Sequence, residues 1–311
     1  MAGGWRVSFR IDPHASLGAE IRRIASEELE AALAWISSAS DDPDKAFHEA
    51  RKRLKNVRAV LGLVRSGDEG FVKEQNDRCR NAASRLAGPR QAGALIETVD
   101  RMTTEFPREA DRKAMAALRE RLLAHRHEVL AGDMKDVVHD AGEACRHCIE
   151  RLAGLALPDS PEEGADVLAT GASRALRRAR RALRRARSEG DAEAFNDLRK
   201  AAKAHLAHLS LFKDFWPFPT KTRRKAVAAL AERLGELQDI RVLRTQLREE
   251  FGATPDDTRR IERLCKRSER ELRKECLAQA KELFSEKPRR PTRKMTRKLV
   301  HGLTEAQPSG N

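Results

Sequence analysis

The sequence predicts an all-α protein built on a duplicated helical scaffold. Three observations carry this: a helix-forming composition, long amphipathic runs cut by turn residues, and an internal repeat. The chain has 311 residues, 40% hydrophobic and 35% charged, with no Tyr and only 4% aromatic residues. It is rich in Ala, Leu, Arg and Glu, and these, with Lys, lead the helix-propensity scale. β-Branched and aromatic residues, which favour sheets, are scarce.

Amphipathic helices are expected at about 16–38, 43–65, 70–87, 107–131, 134–156, 162–187, 192–215, 220–250 and 255–285. Asp41-Asp42-Pro43 starts the second of these, and Gly67, Gly88-Pro89 and Pro107 interrupt the region after it. Pro158, Pro161 and Gly164 form the clearest central linker. Gly190-Asp191, Pro217, Pro219, Gly252 and Pro255 punctuate the second half. Residues 291–311 read as a basic C-terminal extension, partly disordered.

The repeat is the strongest organisational signal. AFHEARKRLK at 46–55 aligns with AFNDLRKAAK at 194–203, an offset of 148 residues. The same offset places RLAGPRQAGAL at 85–95 on RLGELQDIRVL at 233–243. Repeat one spans about 14–156 and repeat two about 162–287.

Helical geometry converts these segments into surfaces, because each residue turns about 100°. With Phe47 as zero, His48, Arg51, Lys52, Lys55 and Arg58 fall within an arc of roughly 20–140°. Ala50, Leu54, Val57, Val60, Leu61 and Val64 fall opposite. In the second copy Asn196, Arg199, Lys200 and Lys203 take the stripe positions. Leu198, Ala202, Leu209 and Phe212 take the packed side. The preceding segment sets Leu176, Ala179, Ala182, Leu183 and Ala186 against Arg177, Arg178, Arg181, Arg184 and Arg185, with no acid among the latter. Like charges one turn apart repel by a few tenths of a kcal/mol per pair, so a single-signed stripe points to an anionic partner.

Charge sharpens the class of partner. Lys plus Arg number 62 against 48 acids, a net charge of +14. That surplus selects nucleic acid, a membrane surface or a phosphate polymer. Few aromatics remain to stack bases, which favours a polyanion without bases. No uncharged apolar run approaches the ~20 residues that span a bilayer, so membrane insertion is not expected. The N-terminus lacks the apolar core of a signal peptide. Five scattered cysteines form no disulfide framework and fit a reducing cytoplasm.

H-E-A-R-K-R-L-K-N-V-R at 48–58 and N-D-L-R-K-A-A-K at 196–203 resemble the signature helix of the CHAD family (conserved histidine α-helical domain). L-R-R-A-R-R-A-L at 176–183 resembles its Tyr-Arg-Arg-Gly-Arg-Arg-Ala-Leu helix, and L-G-E-L-Q-D-I at 234–240 its Leu-Gly-x-x-His-Asp-Leu segment. The resemblance spans 5–290. It implies two four-helix-bundle-like repeats related by pseudo-two-fold symmetry, with a basic central groove or pore. It also implies binding of inorganic polyphosphate, no catalysis and no cofactor. By position, the ligand-facing set implied is His48, Arg51, Lys55 and Arg58, then Arg177, Arg178, Arg181, Arg199, Lys200 and Lys203. The sequence departs from the family at Asn196, which replaces the second histidine, and at Gln91, Asn81 and Leu206. Copy two is therefore expected to grip more weakly, or to rely on its arginine-rich helix, and pH dependence of binding should come mainly from His48.

Rival readings carry less. His139-Asp140, with His125 and Asp166, is similar to a metal-dependent phosphohydrolase pair. Cys145, His147 and Cys148 with His139 offer zinc ligands, but the second paired half of a structural zinc site is missing. Cys145 and Cys148 share a helix face and are expected to pack as small hydrophobes, and His205 and His208 to lie on the packed side. No G-x-x-x-x-G-K-[ST] loop is present to cradle a nucleotide. Non-specific nucleic-acid binding is the serious alternative, since PRRPTRKMTRKLV at 288–300 would grip any phosphate backbone.

Overall fold

The computed structural model describes residues 8–12, 14–131, 134–213, 220–249 and 255–285. Among these the chain is all-helical, with ten α-helices, a short 3-10 turn and no strand. In order they are α1 (Leu17–Ser37), α2 (Pro43–Leu63), α3 (Glu69–Arg85), α4 (Ala87–Glu105) and α5 (Glu109–Ala131). There follow α6 (Met134–Arg151), α7 (Pro161–Ser188), α8 (Ala192–Leu211), α9 (Thr220–Glu249) and α10 (Pro255–Phe284). The basic extension lies outside the described residues.

Side-chain caps fix where the key helices begin. Asp42 accepts the Lys45 N–H at 3.2 Å, with Pro43 as the first helical residue of α2. Ser160 does the same for Glu163 ahead of Pro161 in α7, and Asp191 accepts the Ala194 N–H at 2.7 Å for α8. Each cap satisfies an N–H that has no partner inside the helix, and proline at the first position loses nothing by lacking one. Shifted by 148, α2 falls on 191–211, and α8 occupies Ala192–Leu211.

The main departure from expectation is α4, a full helix where the sequence suggested an interruption at Gly88-Pro89. Pro89 does break α3, because its ring would meet the carbonyl of Arg85 and its missing N–H would leave that carbonyl unbonded. A new helix then starts at Ala87 with the proline in its first turn, where no intrahelical N–H is needed. Glu236 and Leu237 stand at the equivalent positions in copy two, and α9 runs through them unbroken. The expected 134–156 helix is also shorter: α6 ends at Arg151 and a 3-10 turn covers Leu152–Gly154.

The packed faces are those that the 100° rule predicts. Ala50, Leu54, Val57, Val60, Leu61 and Val64 are all buried, as are Leu198, Ala202, Leu209 and Phe212. Burying each large aliphatic side chain contributes about 1.5–3 kcal/mol relative to exposure. Two apolar cores result. One joins α1, α2, α3, α6 and the first turns of α7; the other joins α4, α5, the rest of α7, α8, α9 and α10. Membership therefore crosses the central linker in both directions, since α4 and α5 pack with α9 and α10. The halves meet where α7 crosses the end of α2. A Cβ added at Gly171 would strike the Leu63 carbonyl group, whose carbon lies 2.7 Å away, so only glycine permits this approach. A second junction pairs the Nε2 of His208 on α8 with the Ala59 carbonyl of α2 at 3.2 Å.

Candidate functional site

On α2 the predicted stripe is present, and its members differ in how they are held. His48, Lys52 and Lys55 are exposed. Lys52 pairs with Glu49 at 3.0 Å, one turn away at the surface, a contact worth well under 1 kcal/mol. Arg51 is half-buried and donates to the Ala83 carbonyl in the last turn of α3. That carbonyl has no helical partner, so Arg51 caps α3 as well as presenting charge. Arg58 is half-buried and donates from Nε to the Asn76 Oδ1 at 2.9 Å, tying α2 to α3. Burial pushes its pKa down; Cys79 opposes this, and the charges of Arg80 and Arg178 add to it. A guanidinium remains charged at neutral pH regardless.

Arg177, Arg178 and Arg181 of α7 are exposed. Arg177 donates to the Ser173 hydroxyl at 2.8 Å, and no acid pairs with any of the three among the described residues. Arg185 differs from its sequence reading. Glu189 at 3.0 Å and Asp197 of α8 at 2.8 Å neutralise it, which a helix-by-helix reading cannot anticipate.

On α8 the stripe is held largely by its own neighbours. Arg199 is half-buried and donates to Asn196 Oδ1 at 2.8 Å, and burial pushes its pKa down while Asp239 opposes the shift. Asn196 therefore spends its carbonyl oxygen on Arg199. Lys200 lies 3.6 Å from Asp197, and Lys203 is exposed. Arg178 of α7 lies near enough to Arg58 of α2 to act on it, while Arg199 of α8 is buried and feels Asp239 of α9. One cation missed in the sequence, Arg80 on α3, also acts on Arg58.

The rival constellations are placed elsewhere. Asp140 pairs with Arg85 at 2.5 Å, and no group of three His, Cys, Asp or Glu side chains that could hold a metal occurs among the described residues. Cys145 and Cys148 pack in the first core, with Cys148 Sγ 3.9 Å from that of Cys79. Burial pushes the Cys145 thiol up to about 12. His205 and His208 are buried, as their side of the helix predicted, with His205 edge-on to Phe284. No helix among the described residues is long and apolar enough to cross a membrane.

Comparison with known proteins accords with this architecture. The CHAD domain structure from the plant Ricinus communis superposes with a TM-score of 0.57 at 17% identity, covering 98% of this chain and 97% of that one. PptA from Streptomyces chartreusis superposes with a TM-score of 0.61 at 15% identity, covering 86% of this chain and all of the other. At such identities the likeness concerns the fold. No curated protein matches the chain. The CHAD domain family model matches residues 23–248, across both copies of the stripe-bearing helix, and the chain belongs to the CHAD family.

Proposed function

We propose that this protein binds inorganic polyphosphate without catalysing its turnover, in a cytoplasmic setting and in association with polyphosphate granules. One observation carries the reading: Arg177, Arg178 and Arg181 line an exposed face of α7, unpaired with acid, beside the stripe of α2. Arginine forks hold two phosphate oxygens at once, and a run of them one turn apart suits a linear phosphate polymer. The free state of all five described cysteines suits a reducing compartment.

Such binding releases counterions, so affinity must fall with salt. Titration with polyphosphate of defined length at several salt concentrations should give a linear log–log plot with a slope of about −3 to −6, from three to six phosphate contacts. A slope near zero would contradict the proposal. Unchanged polymer length after prolonged incubation, read on a gel, is expected of a binder that performs no hydrolysis; shortening would identify an enzyme.

A further inference from the structure

We infer that Arg80 and Arg174 join Arg58 and Arg178 in a cradle at the junction of α2, α3 and α7 that takes one phosphoryl group of the polymer. The inference rests on the polyphosphate reading above and adds two ligands and a place. Arg58 supplies the centre, since its Nε bond to Asn76 fixes the guanidinium between α2 and α3. Arg80 is one helical turn beyond Asn76 on α3, which brings it to the same end of that contact. Among the described residues it pairs with Asp77 at 3.1 Å, with the Arg80 side chain exposed and that of Asp77 partly so. An exposed pair of this kind holds its partners loosely, so Arg80 can turn to an anion.

The register of α7 supplies the other wall. Gly171 lies against Leu63, at the end of α2, and Arg178 adds its charge to Arg58, five residues earlier on α2. Taking Gly171 as zero, Arg178 lies at roughly −20° and Arg174 at roughly −60° around the helix. Arg174 therefore lies on the same side of α7 as Arg178, one turn before it. Its Nη1 is buried and has no hydrogen-bond partner among the described residues. A buried donor without an acceptor is costly, and a phosphoryl oxygen is the acceptor that suits it. Four guanidiniums from three helices, opposed nearby by Asp77, give a local surplus of positive charge. That arrangement matches a compact, multiply charged oxyanion better than a single carboxylate.

The test uses the full chain and two ligands, tripolyphosphate and long-chain polyphosphate. R80Q and R174Q should each weaken both by about fivefold and reduce the salt slope by about 1. K113Q, on α5 where Lys113 pairs with Glu109 at the surface, should change either affinity less than twofold. If R80Q and R174Q behave like K113Q while the unaltered protein binds, the cradle is wrong and the polyphosphate reading stands. If the unaltered protein shows no saturable binding, the reading fails and the cradle with it. Should R174Q lower the urea midpoint, R80Q alone decides, because its side chain is exposed and leaves the packing intact.

Discussion

Replacing Arg177, Arg178 and Arg181 together with Gln should weaken polyphosphate binding by roughly 100-fold at physiological salt and reduce the salt slope by about 2–3. These side chains are exposed, and α7 is anchored by Ala179, Ala182, Leu183 and Ala186 on its other face. Helicity by circular dichroism and the urea midpoint should therefore stay near those of the unaltered protein. K200Q/K203Q on α8 should cost far less, because Asp197 already offsets Lys200. Isothermal titration of both variants settles the ranking. An α8 variant that binds as poorly as the α7 variant would mean the two copies grip equally, against the asymmetry described above.

Acid should destabilise the fold well before the carboxylates titrate, through His205 and His208. Both are buried, and burial pushes their pKa down, to about 3 for His205 and about 4 for His208. Arg223 and His208 add to the shift at His205, while the Ala59 carbonyl opposes it at His208. The sign follows from proton uptake. Below the ordinary histidine pKa of about 6.5 the unfolded chain binds protons that the folded chain refuses, so stability falls with falling pH. It is fully present above about 6.5 and is lost progressively down to the folded values near 3–4. Between pH 6.5 and 5 the loss is on the order of 2 kcal/mol for each histidine. Urea unfolding at pH 7 and pH 5 measures it. H208Q, which keeps a donor for the Ala59 carbonyl, should remove about half of the difference between the two pH values. An unchanged difference in H205L/H208Q would assign acid sensitivity to other groups.

Much of the scaffold was legible in the sequence because its signals are local. Asp42-Pro43, Ser160-Pro161 and Asp191 mark helix starts through caps that act within four residues. The buried face of α2 follows from a fixed 100° turn. Helix α4 was missed because Gly88-Pro89 carries the same local signature whether it opens a loop or the first turn of a helix. The periodic Leu95, Val99 and Met102, all buried, were the available counter-signal. Of the site, the exposed members Lys52, Arg178 and Arg181 were legible for the same geometric reason. The capture of Arg51 by the Ala83 carbonyl and the neutralisation of Arg185 by Asp197 depend on neighbouring helices, and no pattern within one helix encodes them. Arg80 is brought to Arg58 by the packing of α3 on α2, and Arg178 by the crossing at Gly171, tertiary contacts that no single helix announces.

The cationic faces should prefer a phosphate polymer without bases. Competition between polyphosphate and duplex DNA at matched charge tests it most directly. Polyphosphate should displace labelled DNA readily, and DNA should fail to displace labelled polyphosphate at the same phosphate concentration. Equal displacement per phosphate in both directions would contradict the claim and make this a general polyanion binder.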